Sequence, residues 1–235
     1  MTTSVIGIYN PCLTNSLRQE EEGHIYRTLR KSECCTSILN ENEESALTEY
    51  GDSLDKVSGE VLLCTKCRLC KTRQHAVPGE GLGSAKVLFV GEAPGEQEDL
   101  QGRPFVGAAG KLLTELLQSV NIRREDAYIT NIVKCRPPNN RPPRKDESAA
   151  CRPYLDRQVA LIHPAVVCPM GNSAIQTFLD SEKSVTALHG IPFEVQSMTY
   201  FPMYHPAAAL YTFGLRKIME DDFRKLRALL DSMVD

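Results

Sequence analysis

Four cysteines are spaced as ligands rather than as disulfide partners. Cys64 and Cys67 form a C-x2-C pair at the end of a helical stretch, so both sulfurs can reach one centre; Cys135 and Cys151 follow, separated by fifteen residues. Four thiolates from two segments suit a tetrahedral zinc site or a 4Fe-4S cluster. A zinc ribbon usually repeats the close pair, and Cys135 and Cys151 do not, which favours the cluster. Only two of the evenly spaced Cys64, Cys67 and Cys70 are needed; Cys64 and Cys67 are assigned, and Cys70 is left as a neighbouring spare. Cys168 falls within an apolar strand and reads as core, while Cys12, Cys34 and Cys35 read as idle thiols.

A second set of residues offers charge and hydrogen bonds. Gly91-Glu92-Ala93-Pro94-Gly95 follows the apolar run Lys86 to Val90, and neither a strand nor a helix continues through it. Glycines on both sides permit close backbone approach, so the Glu92 carboxylate and nearby amides are aimed at a cleft beyond the strand end. Glu98 and Asp99 stand close enough in sequence to share a water-orienting role. Asn131 closes another apolar run, and His205 lies between a strand and Pro206, where a side chain is presented at a helix start. Lys134, Arg136, Arg141, Arg144 and Lys145 crowd a loop with prolines at 137, 138, 142 and 143; such a loop can offer cations to phosphates.

The elements that must position these groups alternate. Strands are expected over residues 86–90, 127–133, 165–170 and 199–203, with an edge strand at 191–195. Helices are expected around Leu54, Val57 and Val61, and over 108–120, 146–162, 171–179 and 215–233. Alternation of this kind implies an α/β fold with a mostly parallel sheet between helical layers.

At 235 residues, 42% hydrophobic and 24% charged, the chain has ordinary globular composition. No tract is long enough to span a membrane and the first twenty residues do not resemble an export signal, so a cytoplasmic protein with reduced thiols is expected. The net charge of −3 is divided: residues 1–63 carry −6 and the remainder +3. Residues 1–56 read as an acidic, flexible extension before a body at 57–235. That body is compatible with nucleic acid without the strongly basic footprint of many DNA-binding domains.

Several ordered motifs resemble the family 4, iron-sulfur uracil-DNA glycosylases. They are Cys64-x2-Cys67, VPGEG at 77–81, GEAPGEQED at 91–99, GRPFVGAAG at 102–110, YITNIVKCRPP at 128–138, Cys151 and Tyr204-His205-Pro206, spanning about residues 57–230. The resemblance implies a three-layer α/β/α sandwich around a central four-stranded, mostly parallel sheet. It also implies a 4Fe-4S cluster on Cys64, Cys67, Cys135 and Cys151. The implied activity is that of a monomer that flips uracil out of single- or double-stranded DNA and hydrolyses the N-glycosidic bond in base excision repair. By motif, Gly91, Glu92 and Ala93 line the uracil pocket, Phe105 stacks on the base, Asn131 bonds its Watson-Crick edge and His205 faces its O2 side, with Glu92, Asn131 and His205 catalytic. Arg136, Arg141, Arg144 and Leu210 would contact DNA. Where relatives place leucine and then arginine after the histidine motif, this chain reads PAAALYTF, leaving the wedge between Leu210 and Tyr211. A related subclass traps substrate through a histidine in an inserted basic loop; residues 134–146 contain none, so covalent capture is not expected.

Overall fold

The computed structural model describes residues 51–179 and 183–233, together with the backbone of three two-residue strands at Leu13–Thr14, Arg27–Thr28 and Arg30–Lys31. The reading of residues 1–50 as a flexible extension lies otherwise outside the described residues, as do Cys12, Cys34 and Cys35. α1 (Leu54–Leu62) is capped by the Ser53 hydroxyl, which accepts the Lys56 N–H at 3.1 Å.

Six strands, β1 (Glu80–Gly81), β2 (Val87–Gly91), β3 (Tyr128–Asn131), β4 (Val166–Pro169), β5 (Phe193–Val195) and β6 (Met198–Tyr200), pair in the order β5-β6-β4-β2-β3-β1, with Arg27–Thr28 beside β5. The inner four, β6, β4, β2 and β3, are parallel; β1 and β5 run antiparallel at the flanks. The expected four-stranded parallel core is therefore present inside a wider mixed sheet. Expected strand 199–203 ends early as a regular ladder because Pro202 has no N–H. Hydrogen bonds from Phe201 N to Val167 O at 2.8 Å and Met203 N to Pro169 O at 3.0 Å still carry the chain along β4.

The sheet divides two cores by strand alternation. Val87, Phe89, Ile129, Val166 and Cys168 face one side, under α3 (Ala108–Ser119) and α8 (Leu215–Ser232), whose Leu113, Leu116, Leu117, Met219, Phe223 and Leu226 are buried there. Leu88, Val90, Tyr128 and Val167 face the other, against α1 and α4 (Lys145–Ile162). The Cys168 thiol is part of this packing, and burial pushes its pKa well above the usual value. Arg157 in α4 ties α1 down, bonding Asp52 at 2.6 and 2.8 Å and Glu60 at 2.6 and 3.0 Å. The end of α1, where the C-x2-C pair begins, is thereby held against the helix that carries Cys151. Between the two, the proline loop keeps a single 3-10 turn at Pro138–Asn140.

Candidate active site

Parallel strands end at one edge, and that edge collects the predicted groups. Gly91 at the end of β2 is in register with Asn131 at the end of β3. A β-carbon on Gly91 would lie 2.5 Å from Asn131 Oδ1 and 2.6 Å from the Phe105 ring, so only glycine lets the amide and the ring close on this point. The Phe105 and His205 rings approach with centroids 5.4 Å apart. Glu92 follows Gly91 directly and accepts a short hydrogen bond from the Ser173 hydroxyl, at the start of α5 (Asn172–Leu179) beyond β4. Four segments distant in sequence, bearing Glu92, Phe105, Asn131 and His205, thus meet at one place.

Phe105 is held in a backbone conformation uncommon for a non-glycine residue, φ 51°. Its neighbours explain how. The Glu98 carboxylate accepts N–H groups from Gly95 at 3.1 Å, Val106 at 2.9 Å and Gly107 at 2.8 Å, joining the loops on both sides of α2 (Glu96–Gln101). Arg124 donates to Pro104 O at 2.7 Å while its guanidinium is paired with Glu80 at 2.9 Å. Asp99 is buried and accepts Gln74 N at 3.0 Å. Of the three acidic candidates for the water, Glu98 and Asp99 are thus committed to backbone amides, whereas Glu92 accepts from the Ser173 hydroxyl. Ser173 and Arg124 escaped the sequence reading; Glu98 reaches back to the Gly95 N–H, which is half of a capping box, since glycine has no side chain to supply the other half.

Asn131 is 2% exposed, and its Oδ1 is the one buried side-chain oxygen or nitrogen without a hydrogen-bond partner among the described residues. A buried acceptor left unsatisfied is costly unless a ligand completes it. His205 caps α7 (Pro206–Ala209): its Nδ1 accepts Ala207 N–H at 3.2 Å, so a neutral ring carries its proton on Nε2. Burial lowers the His205 pKa to about 4, only partly opposed by the Glu98 charge, and the ring is neutral at physiological pH. Beyond α7, Leu210 is 43% and Tyr211 89% exposed, with Phe213 fully exposed beside them.

The basic loop divides. Lys134 is buried and bonds Thr130, Asn131 and Gln158 inside the protein, so its expected role as a phosphate contact is corrected. Burial draws its pKa down to about 7. Arg141 forks onto buried Glu147 at 2.6 and 2.8 Å, and this pairing holds the Glu147 carboxyl down at about 2. Arg144 and Lys145 are exposed; Arg136 is half-buried, 2.8 Å from Asn140 Oδ1.

On the other side of Lys134, Cys64, Cys67, Cys70, Cys135 and Cys151 line one cavity with Val61, Arg73 and Tyr154. Three of the four assigned sulfurs accept an N–H: Cys64 from Lys66 N at 3.5 Å, Cys135 from the Arg73 guanidinium at 3.0 Å and Cys151 from Lys134 N at 3.3 Å. Cys70 shares the wall of the same cavity. Burial raises the pKa of the Cys67 and Cys151 thiols and pushes Cys135 up to about 11. No three described His, Cys, Asp or Glu side chains meet tightly enough to hold a single metal ion.

A profile of the uracil DNA glycosylase superfamily matches residues 78–230. The type-4 uracil-DNA glycosylase of Sulfurisphaera tokodaii is 49% identical over 187 residues, covering 76% of this chain and 85% of that protein. The type-4 enzyme of Archaeoglobus fulgidus is 47% identical over 186 residues, 76% of this chain and 94% of its own. That of Thermotoga maritima is 44% identical over 181 residues, with 75% and 94% covered. With the edge of the sheet so arranged and relatives of this closeness over most of their length, the chain belongs to the uracil-DNA glycosylase superfamily, alongside its type-4 members.

Proposed function

We propose that this protein excises uracil from DNA, hydrolysing the bond between deoxyribose C1′ and uracil N1 to leave free uracil and an abasic site. The observation that carries the reading is the buried, unpartnered Asn131 Oδ1 beside the Phe105 ring and Gly91. An amide there accepts from uracil N3–H and donates to O4, whereas cytosine opposes it with an acceptor at N3 and a donor at N4. A base inside a duplex is out of reach, so the nucleotide is first flipped out. Stacking on Phe105 offsets part of that cost, at about 1–3 kcal/mol for a base on an aromatic ring.

As the bond breaks, the sugar becomes cationic and the base anionic, and fixed groups of opposite sign lower the barrier. His205, neutral with its proton on Nε2, donates to uracil O2 and stabilises the leaving anion without first losing a proton. Glu92, steadied by Ser173, orients the attacking water and faces the sugar cation. Ala93 lines the pocket next to it. Leu210 and Tyr211, exposed beyond His205, fill the gap left in the duplex, while Arg136 and Arg144 lie along phosphates and Arg141 holds the loop through Glu147. We read it as a monomer acting on single- or double-stranded DNA.

Cys64, Cys67, Cys135 and Cys151 would hold a 4Fe-4S cluster. The fit rests on four sulfurs lining one cavity, three of them with an N–H donor, and on the preference of such clusters for thiolate ligands. When bound, the cluster supplies a cross-link between α1, α4 and the proline loop; hydrolysis calls for no electron transfer. Among the described residues no helix is long and apolar enough to cross a membrane, and a reducing cytoplasm suits these thiols.

Incubating the purified protein with matched oligonucleotides containing uracil or thymine tests the activity. Free uracil from the first and no thymine from the second is expected. Absence of released uracil, with DNA still bound, would instead leave a binding module.

A further inference from the structure

Lys134 is the residue that stands between the two sites. Its Nζ lies 2.5 Å from Thr130 Oγ1, 2.8 Å from Asn131 O and 2.7 Å from Gln158 Oε1. An ammonium has three N–H donors, and three oxygens receive them. Those oxygens are themselves fixed: Thr130 Oγ1 donates to Pro78 O at 2.9 Å, and Gln158 Nε2 donates to Pro78 O at 2.9 Å and to Tyr128 Oη at 3.2 Å. The main chain of the same lysine donates to Cys151 Sγ at 3.3 Å and accepts Val77 N–H at 2.7 Å. No carboxylate takes part in the network. A buried amine so fully hydrogen-bonded, where an apolar side chain of the same length would fit, is a costly device for mere packing.

We propose that Lys134 is a positioning residue for base recognition. It grips the carbonyl of Asn131 from below and thereby sets the aim of the Asn131 side chain, while its main chain anchors the same segment to the sulfur-lined cavity. The Asn131 amide has no partner of its own at Oδ1, so its direction is inherited from its backbone and from the walls formed by Gly91 and Phe105. Removing the ammonium frees the strand end exactly where a small rotation misaligns the acceptor from uracil N3–H. The proposal rests on Asn131 as the residue that reads uracil.

Lys134→Met keeps the length and removes the donors; Gln158→Met removes one acceptor and serves if the first variant does not fold. Inhibition by free uracil, affinity for undamaged DNA, and iron content are measured for each. Lys134→Met is expected to weaken uracil inhibition about tenfold and Gln158→Met about threefold, with iron content and affinity for undamaged DNA unchanged. In an Asn131→Ala background, Lys134→Met is expected to reduce kcat/KM by less than about threefold, because the two residues act as a unit. Unchanged uracil inhibition in both variants, or additive losses with Asn131→Ala, would overturn the proposal. So would a fall in affinity for undamaged DNA, which would return Lys134 to the phosphates. Wild-type uracil release, run alongside, separates this failure from that of the underlying reading: if the wild type releases uracil, only the role of Lys134 is lost.

Discussion

The base-facing edge and the sulfur-lined cavity flank a single lysine, yet they are put together differently. At the edge, position is set by hydrogen bonds that are already complete: Glu98 spans two loops through three backbone amides, Ser173 steadies Glu92, and the Ala207 N–H fixes the His205 tautomer. One buried acceptor, Asn131 Oδ1, is left without a partner among the described residues, and the proposed function gives it to the base. In the cavity the scaffold is equally ordered, but the thiols it gathers are pushed by burial toward their protonated forms. On the proposed function, the first region is organised before its ligand arrives and the second serves as the seat of a cluster. Recognition and structural support can therefore be damaged separately.

The sharpest separation comes from truncating one residue in each. Cys151→Ala is expected to lose bound iron and several kcal/mol of stability, on the scale of losing a ligand from a structural metal site. Asn131→Ala is expected to keep iron content and the unfolding midpoint while reducing kcat/KM about a hundredfold, as for a lost pair of substrate hydrogen bonds. Iron analysis, thermal unfolding and single-turnover excision on both variants measure it. Parallel losses in all three would erase the distinction.

Acid should affect the edge through His205. Its folded pKa of about 4 lies below the ordinary value of 6.5, so as pH falls from 6.5 the unfolded chain takes up a proton that the folded chain refuses. Stability from this group is present above 6.5 and is lost progressively down to about 4. Excision should show no histidine titration between pH 5 and 8. NMR titration of the ring checks the assignment, and a midpoint near 6.5 would contradict the buried, neutral donor.

The smallest contrast lies in the proline loop. Arg141→Ala should lower the unfolding midpoint through Glu147 and leave the salt dependence of DNA binding unaltered. Arg144→Gln should leave stability alone and reduce the slope of log affinity against log salt by about one. A reversal of these two results would exchange their roles.

The sequence made the parallel core legible because β2, β3 and β4 are short apolar runs that end in turn residues, and period alone located α3 and α8. The flanks were harder. β1 has only two residues, and Pro202 cuts a strand that hydrogen bonds continue past. At the site, residue type and order pointed to Glu92, Asn131 and His205, each at or just beyond the end of a strand, whereas Phe105 came only with the family resemblance. What the string of basic residues concealed was direction: Lys134 belongs to a loop of cations but folds back under β3, toward Thr130 and Gln158, whose polarity within apolar surroundings was the available hint. Glu98 and Asp99 looked like rivals of Glu92 because sequence shows proximity and not which amides a carboxylate already satisfies.

A crystal structure with free uracil bound tests the central claim most directly. The expected result is uracil stacked on Phe105 with N3 within hydrogen-bond distance of Asn131 Oδ1, about 3 Å, and O2 facing His205 Nε2. Uracil seated elsewhere, or lying with N3 turned from Asn131, would contradict it.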